Sequence, residues 1–180
     1  MNVTWQGVQD FESYDIGREL LKEIGTLLKQ QDPYGHPRSS GTSGTSAALA
    51  SDAWMNFITY QSFDDQLGAI EHQLYPAAFV NLGFGVEGAP GTDTSAFRRR
   101  LWNSTMDGQY PTYGNTGTAM SGNSAFDASQ LTAAGAQQMT HWFKFFDDTR
   151  HWVLEPYFDV DGGRVLALEG VESCVCVEKP

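Results

Sequence analysis

Strand-like and helix-like runs alternate along roughly the first 150 residues of this chain, and then the alternation stops. That switch limits the fold more than any other feature. Val3 to Val8, Met55 to Tyr60 ("MNFITY") and the apolar run Tyr75-Pro-Ala-Ala-Phe-Val80 read as strands. Between them, Ile16, Leu20, Leu21, Ile24, Leu27 and Leu28 recur at helical spacing, with Arg18, Lys22, Glu23 and Lys29 interleaved. Asp32-Pro33-Tyr34-Gly35 stops that helix. Asp64 is placed to cap a second helix with Leu67, Ile70 and Leu74 on its inner face. A third carries Phe97, Leu101 and Trp102 inward, with Arg98, Arg99 and Arg100 turned to solvent. A long helix near 128–147 has Leu131, Ala134, Trp142, Phe143 and Phe146 as its apolar set. Strands separated by helices predict an α/β fold with parallel strands.

After about residue 150, "WVLEPYF", "RVLALEG" and "SCVCVEK" are three strand-like runs with no helix between them. "DVDGG", 159–163, reads as a hairpin turn at Asp161-Gly162. A calcium loop starting at Asp159 would need glycine at its sixth position and glutamate at its twelfth, where this chain has Arg164 and Gly170. Cys174 and Cys176 alternate on the last run as small apolar strand residues, too close along one strand for a good disulfide and without a second pair for zinc. The run Ser39 to Ser46, "SSGTSGTS", reads as a polar loop.

With 180 residues the chain is long enough for one domain with a sizeable core. Its net charge of −11 argues against nucleic acid or an anionic membrane surface as partner, since both call for a basic face. No stretch of 18 apolar residues is present, and the N-terminus predicts no secretion signal. The histidines at 36, 72, 141 and 151 sit at no metal-ligand spacing, and no cofactor-binding motif occurs.

One group of residues falls at predicted strand ends: Asp10 and Glu12, Tyr60 and Gln61, Asn81 and Glu87, Tyr113 and Asn115, with Trp5 on the first strand itself. In a parallel barrel those ends gather on the face that holds the active site. Carboxylates, planar amides and aromatic rings suit sugar recognition; the same residue types also serve as turn residues and helix caps.

The segments "NVTWQGVQDFESYDIGRELLKEIGTLLKQQDPYGHPRSSGT", "YQSFDDQLGAIEHQLYP", "FRRRLWNSTMDGQYPTYGNTG" and "WVLEPYFDVDGGRVLALEGVE" resemble the apiosidase-like glycoside hydrolases, bacterial sugar-cleaving (β/α)8 barrels. Many of these carry a C-terminal β domain described as collagen-binding. A whole barrel takes roughly 250 residues. The resemblance therefore implies a fragment: residues 1–150 as the second half of a partial (β/α)8 (TIM-type) barrel, its fourth to eighth βα units, and 151–180 as the truncated start of the β domain. It implies carbohydrate as partner, no cofactor, no metal, and self-association through sheet edges left unpaired. Full-length relatives are expected to be secreted or periplasmic.

The resemblance also assigns roles. Asp10 falls at the acid/base position, with Glu12 as fallback. The nucleophile follows the seventh strand, where relatives resemble N-x-E-F-G-Y-E and this chain reads Asn81-Leu82-Gly83-Phe84-Gly85-Val86-Glu87. Gly83 thus stands at the nucleophile position, and the carboxylate is lost. Glu87 matches a second acid of the pattern and is the one possible substitute. Trp5, Glu12, Tyr60, Gln61, Asn81, Tyr113 and Asn115 are the implied substrate-binding set. The expectation is a glycoside hydrolase fragment with impaired chemistry. The alternatives are a non-catalytic carbohydrate-binding or interaction module and a truncated gene product without function.

Overall fold

The computed structural model describes residues 3–14, 17–62, 65–83, 85–116, 128–149, 154–156 and 176–178. Asp64, the 159–163 turn, Cys174 and the "RVLALEG" run lie outside the described residues. The chain runs through strands β1 (Trp5–Gln6), β2 (Arg38–Ser39), β3 (Phe57–Tyr60), β4 (Ala78–Asn81), β5 (Val86–Glu87), β6 (Gln109–Pro111) and β7 (Gly114–Asn115). Helices α1 (Gly17–Gln31), α2 (Asp65–Leu74), α3 (Thr94–Met106) and α4 (Ala134–Asp148) lie among and after them. These strands pair in parallel, β1 with β2, β3 with β4 and β4 with β6, and β5 with β7, and a single antiparallel bridge joins Thr45 to Tyr60. Then β8 (Leu154–Pro156) pairs antiparallel with β9 (Cys176–Glu178).

Helix α1 forms where its spacing says it should. Leu21 and Gly25 face inward, and Leu21 joins Leu49 and Trp54 in one core cluster. Trp54 lies so close over Gly25 that a Cβ there would overlap the indole. The helix stops because the Asp32 carboxylate turns back to accept from the N–H groups of Tyr34 (3.1 Å) and His36 (2.6 Å), and Gly35 takes a positive φ of 67°. Helix α3 starts at Asp93, whose side chain accepts from Ala96 N–H at 2.7 Å. Phe97 and Leu101 are fully buried, as their spacing predicts. Gly108, at φ 83°, follows its C-terminal end.

Three expectations are corrected. The 39–46 run is a polar loop past Ser39, as read, but much of it is buried rather than solvated. Ser39 begins it in β2, and Ser39, Ser40, Thr42 and Ser46 are all fully buried. Its hydroxyls satisfy strand backbone that would otherwise lack partners: Ser46 Oγ accepts from Thr59 N–H at 2.9 Å, and Ser40 Oγ donates to Val8 C=O at 3.0 Å. In α2, Ile70 and Leu74 are more than half exposed while Glu71 is buried. The helix turns its polar residue inward because Thr45 is there to donate a hydrogen bond to it, at 2.7 Å. In α4, Leu131 (just ahead of the helix) and Phe143 are exposed; Phe146 is buried, against Trp102 and Trp142.

Candidate functional site

The ends of β1, β3, β4 and β6 are tied together by the backbone that follows them. Phe11 N–H donates to Gly41 C=O, and Gln61 N–H donates to Gly44 C=O at 2.6 Å, so the 41–44 turn links the end of β1 to the end of β3. Leu82 N–H reaches Tyr60 C=O at 2.7 Å. Thr112 Oγ1 reaches Asn81 C=O at 2.9 Å. Asp10, Glu12, Gln61, Gly83 and Tyr113 are therefore gathered at one end of the strands.

Trp5 is not among them. It opens β1 rather than closing it, and its indole N–H donates to Asp32 at 3.3 Å, in the turn that ends α1. It belongs to the opposite pole.

Of the gathered residues, several are already engaged. Tyr60, Asn81 and Asn115 are buried. Asn81 uses both ends of its amide: Nδ2 donates to Ser62 C=O (3.2 Å) and Gln109 Oε1 (2.8 Å), and Oδ1 accepts from Gly83 N–H (3.1 Å). The Glu12 carboxylate accepts from the Thr42 hydroxyl and from Ser43 N–H. Asp10 sits in a left-handed turn, φ 46° and ψ 50°, a conformation aspartate tolerates better than most residues. Its Oδ1 accepts from Gln9 Nε2 at 2.9 Å. Gln61, Glu12 and Tyr113 keep some exposure, and Gln61 lies against Gly83, within 3.1 Å of where a Cβ at Gly83 would stand.

Glu87 forms the most developed cluster. Only 7% of it is exposed, and its carboxylate accepts four hydrogen bonds. Oε2 takes Tyr113 Oη–H (2.8 Å) and Asn115 Nδ2–H (3.2 Å); Oε1 takes Thr94 Oγ1–H (2.9 Å) and Gly135 N–H (2.8 Å). Thr94 opens α3, and Gly135 is in the first turn of α4, so two helix N-termini point at this charge. Helix α4 has Ala133 at its cap position and no capping side chain of its own, and Glu87 satisfies one of its free N–H groups. Burial pushes the Glu87 carboxyl up, but the bonds from Tyr113, Thr94, Gly135 and Asn115 outweigh it and hold the group below the usual carboxylate range. Tyr113 is shifted the other way: burial and the Glu87 charge raise its phenol, although Asn115 donates to it at 3.0 Å.

Sequence reading found Glu87, Tyr113 and Asn115 but missed that they form one cluster with Thr94 and Gly135. The only hint is the glycine: a Cβ at position 135 would overlap the Glu87 carboxylate. Among the described residues no three His, Cys, Asp or Glu side chains converge as a metal site, and no helix is long and apolar enough to cross a membrane.

Parallel strands with helices between them and their ends gathered at one pole define a partial (β/α)8 barrel. The fold is similar to that of a solved glycoside hydrolase family 5 protein from Bacteroides vulgatus ATCC 8482, with a TM-score of 0.68 at 15% sequence identity. The match covers 96% of this chain and 45% of that chain, so the chain spans less than half the length of that protein. At this identity the likeness is one of fold alone, and it does not single out the apiosidase-like proteins. No family model matches the chain, and no curated protein matches it.

Proposed function

We propose that this chain is a piece of a carbohydrate-acting barrel, of the apiosidase-like glycoside hydrolase type, whose hydrolytic chemistry is impaired. The β8–β9 pair is read as the start of a C-terminal β domain. Retaining hydrolysis of a glycosidic bond takes two carboxyls about 5 Å apart, one attacking and one giving a proton. Asp10 is the acid/base in this reading, and Gly83 leaves the nucleophile position empty.

The observation that carries the reading is the state of Glu87, the one acid near enough in sequence to substitute. Four donors occupy its carboxylate, and its charge holds the starts of α3 and α4. Turning it onto a sugar would break all four bonds. The same observation favours, as second reading, a module that binds carbohydrate without cleaving it, with Gln61, Glu12 and Tyr113 as the exposed contacts.

Aryl-glycoside cleavage over a panel of sugars, with calorimetric titration of the matching free sugars and oligosaccharides, tests both. No turnover is expected in the first assay. Turnover abolished by Asp10→Asn and by Glu87→Gln would overturn the impaired-site reading. Binding weakened by Gln61→Ala would support the second reading.

A further inference from the structure

Glu71 is nearly as deeply buried as Glu87 and is held by far less. It stands on the inner face of α2 with 8% of it exposed. Its carboxylate accepts one hydrogen bond among the described residues, from Thr45 Oγ1 at 2.7 Å. Helix α2 packs on α3, β4 and β6. Strand β4 carries no titratable group, β6 carries Tyr110, and α3 carries Arg98, Arg99 and Arg100. Tyr60 lies at the end of β3 beside Thr45, Asp65 and His72 are on α2 itself, and Tyr75 follows it. Burial and the Thr45 bond, not any of these groups, set the ionisation of Glu71.

Thr45 belongs to the segment that crosses the strand ends. Gly44 C=O accepts from Gln61 N–H, Thr45 bridges to Tyr60, and Ser46 N–H donates to Thr59 C=O at 3.0 Å, so residues 44–46 are stitched along the end of β3. The other half of the segment reaches the end of β1. Thr42 Oγ1 donates to the Glu12 carboxylate and accepts from Gly44 N–H at 3.1 Å, and Ser43 N–H donates to Glu12 at 3.3 Å. Gly41 lies so close to Gln9, the residue before Asp10, that a Cβ there would overlap it. Asp10, Glu12 and Gln61 therefore all lean on residues 41–46, and the Thr45 hydroxyl ties that segment to α2.

We propose that Glu71 is a proton-operated latch on the 41–46 segment: neutral, it stays in the layer and keeps Thr45; ionised, it turns out to water and releases the segment that carries the contacts of Glu12 and Gln61. A buried charge with a single donor and no cation is costly, whereas a neutral carboxyl in the same place is not. Burial raises the Glu71 carboxyl, and the Thr45 bond offsets only part of that. The latch is therefore closed below the unfolded glutamate value of about 4.3 and opens as pH rises through the higher folded value. Glu87 shows the contrast: with four donors its charge is kept in place. What the latch regulates rests on the reading of this strand-end face as a carbohydrate site. The latch itself does not, and its test uses no sugar.

Paired carbon-13 carboxyl and nitrogen-15 amide NMR titrations from about pH 3 to pH 8 read the result. The Glu71 carboxyl is expected to titrate above about 4.3, and the amide signals of Gly44, Thr45 and Gln61 to move through one step with the same midpoint. Glu71→Gln should abolish that step and leave the titration of Glu12, read at the Ser43 amide, in place. Thr45→Val tests the same link from the other side, should Glu71→Gln fold poorly. The Glu71 carboxyl should then titrate at a still higher midpoint, having lost its one donor, while Gly44 and Gln61 no longer follow it. Gly44 and Gln61 signals that stay still while Glu71 titrates would overturn the proposal. So would a step at these amides that survives Glu71→Gln, or a Glu71 midpoint at or below the ordinary value.

Discussion

The end of β4 and the body of β5 lie four residues apart, at Gly83 and Glu87, and they solve opposite problems. Gly83 follows its strand with no side chain, and the α, β and γ carbons of Gln61 lie 3.1–3.2 Å from where a Cβ would stand. Glu87 brings a charge into a site that is nearly closed to water, and the fold surrounds that charge with four donors, Asn115 of β7, Tyr113 just ahead of that strand, and one residue each from α3 and α4. A strand end built for catalysis keeps a carboxylate exposed to substrate and free to change its bonding. Here the half-buried Gly83 has no carboxylate, and Glu87, which has one, lacks the freedom. If Gly83 marks the nucleophile position, as proposed, an acid four residues away in sequence is still not available to it.

The comparison breaks most directly at Glu87. Glu87→Ala leaves Tyr113, Asn115, Thr94 and Gly135 N–H without their acceptor, and is expected to cost on the order of 4 kcal/mol in a denaturant melt. A loss under about 1 kcal/mol would mean the cluster is incidental. Gly135→Ala attacks the same point from the other side, since its Cβ would meet the Glu87 carboxylate and approach the Tyr113 ring at 3.0 Å. The expected cost is about 1–3 kcal/mol, read the same way.

The two buried glutamates give a pH test with opposite signs. Glu87 has a lowered folded pKa, so its contribution is present above the unfolded value of about 4.3 and is lost as pH falls through the folded one. Burial raises Glu71, with the Thr45 bond only partly offsetting it. Its contribution is therefore present below the unfolded value and is lost as pH rises through its folded value. Melts from pH 7 to pH 3 should show a falling limb that flattens in Glu87→Gln and steepens in Glu71→Gln. The smallest effect is expected at the strand end itself. Gly83→Ala needs Gln61 to yield by a few tenths of an ångström and should cost about 1 kcal/mol or less.

What the sequence disclosed follows from how local each determinant is. Helices α1 and α3 were legible because Leu21, Phe97 and Leu101 repeat within one helix and bury on it. The inner face of α2 was not, because Glu71 is drawn inward by Thr45, 26 residues away. The serine and threonine run misled because those side chains can satisfy backbone groups inside a core as readily as water can outside it. Residues at strand ends could be picked out one by one, but Trp5 shows the limit: a strand of two residues gives no sign of which pole a side chain joins. The Glu87 cluster was least legible. Its donors lie 7, 26, 28 and 48 residues away, and no spacing rule connects them.

The central claim is that Glu87 is a fixed, charged structural group and not a free catalytic acid. Carbon-13 NMR titration of its carboxyl tests that most directly, with Tyr113→Phe as the companion variant. The account predicts a midpoint below the ordinary glutamate value of about 4.3, rising toward it when the Tyr113 hydroxyl is removed. A midpoint well above that value, unmoved by Tyr113→Phe, would show a carboxyl held protonated and outside the cluster, and would contradict the account.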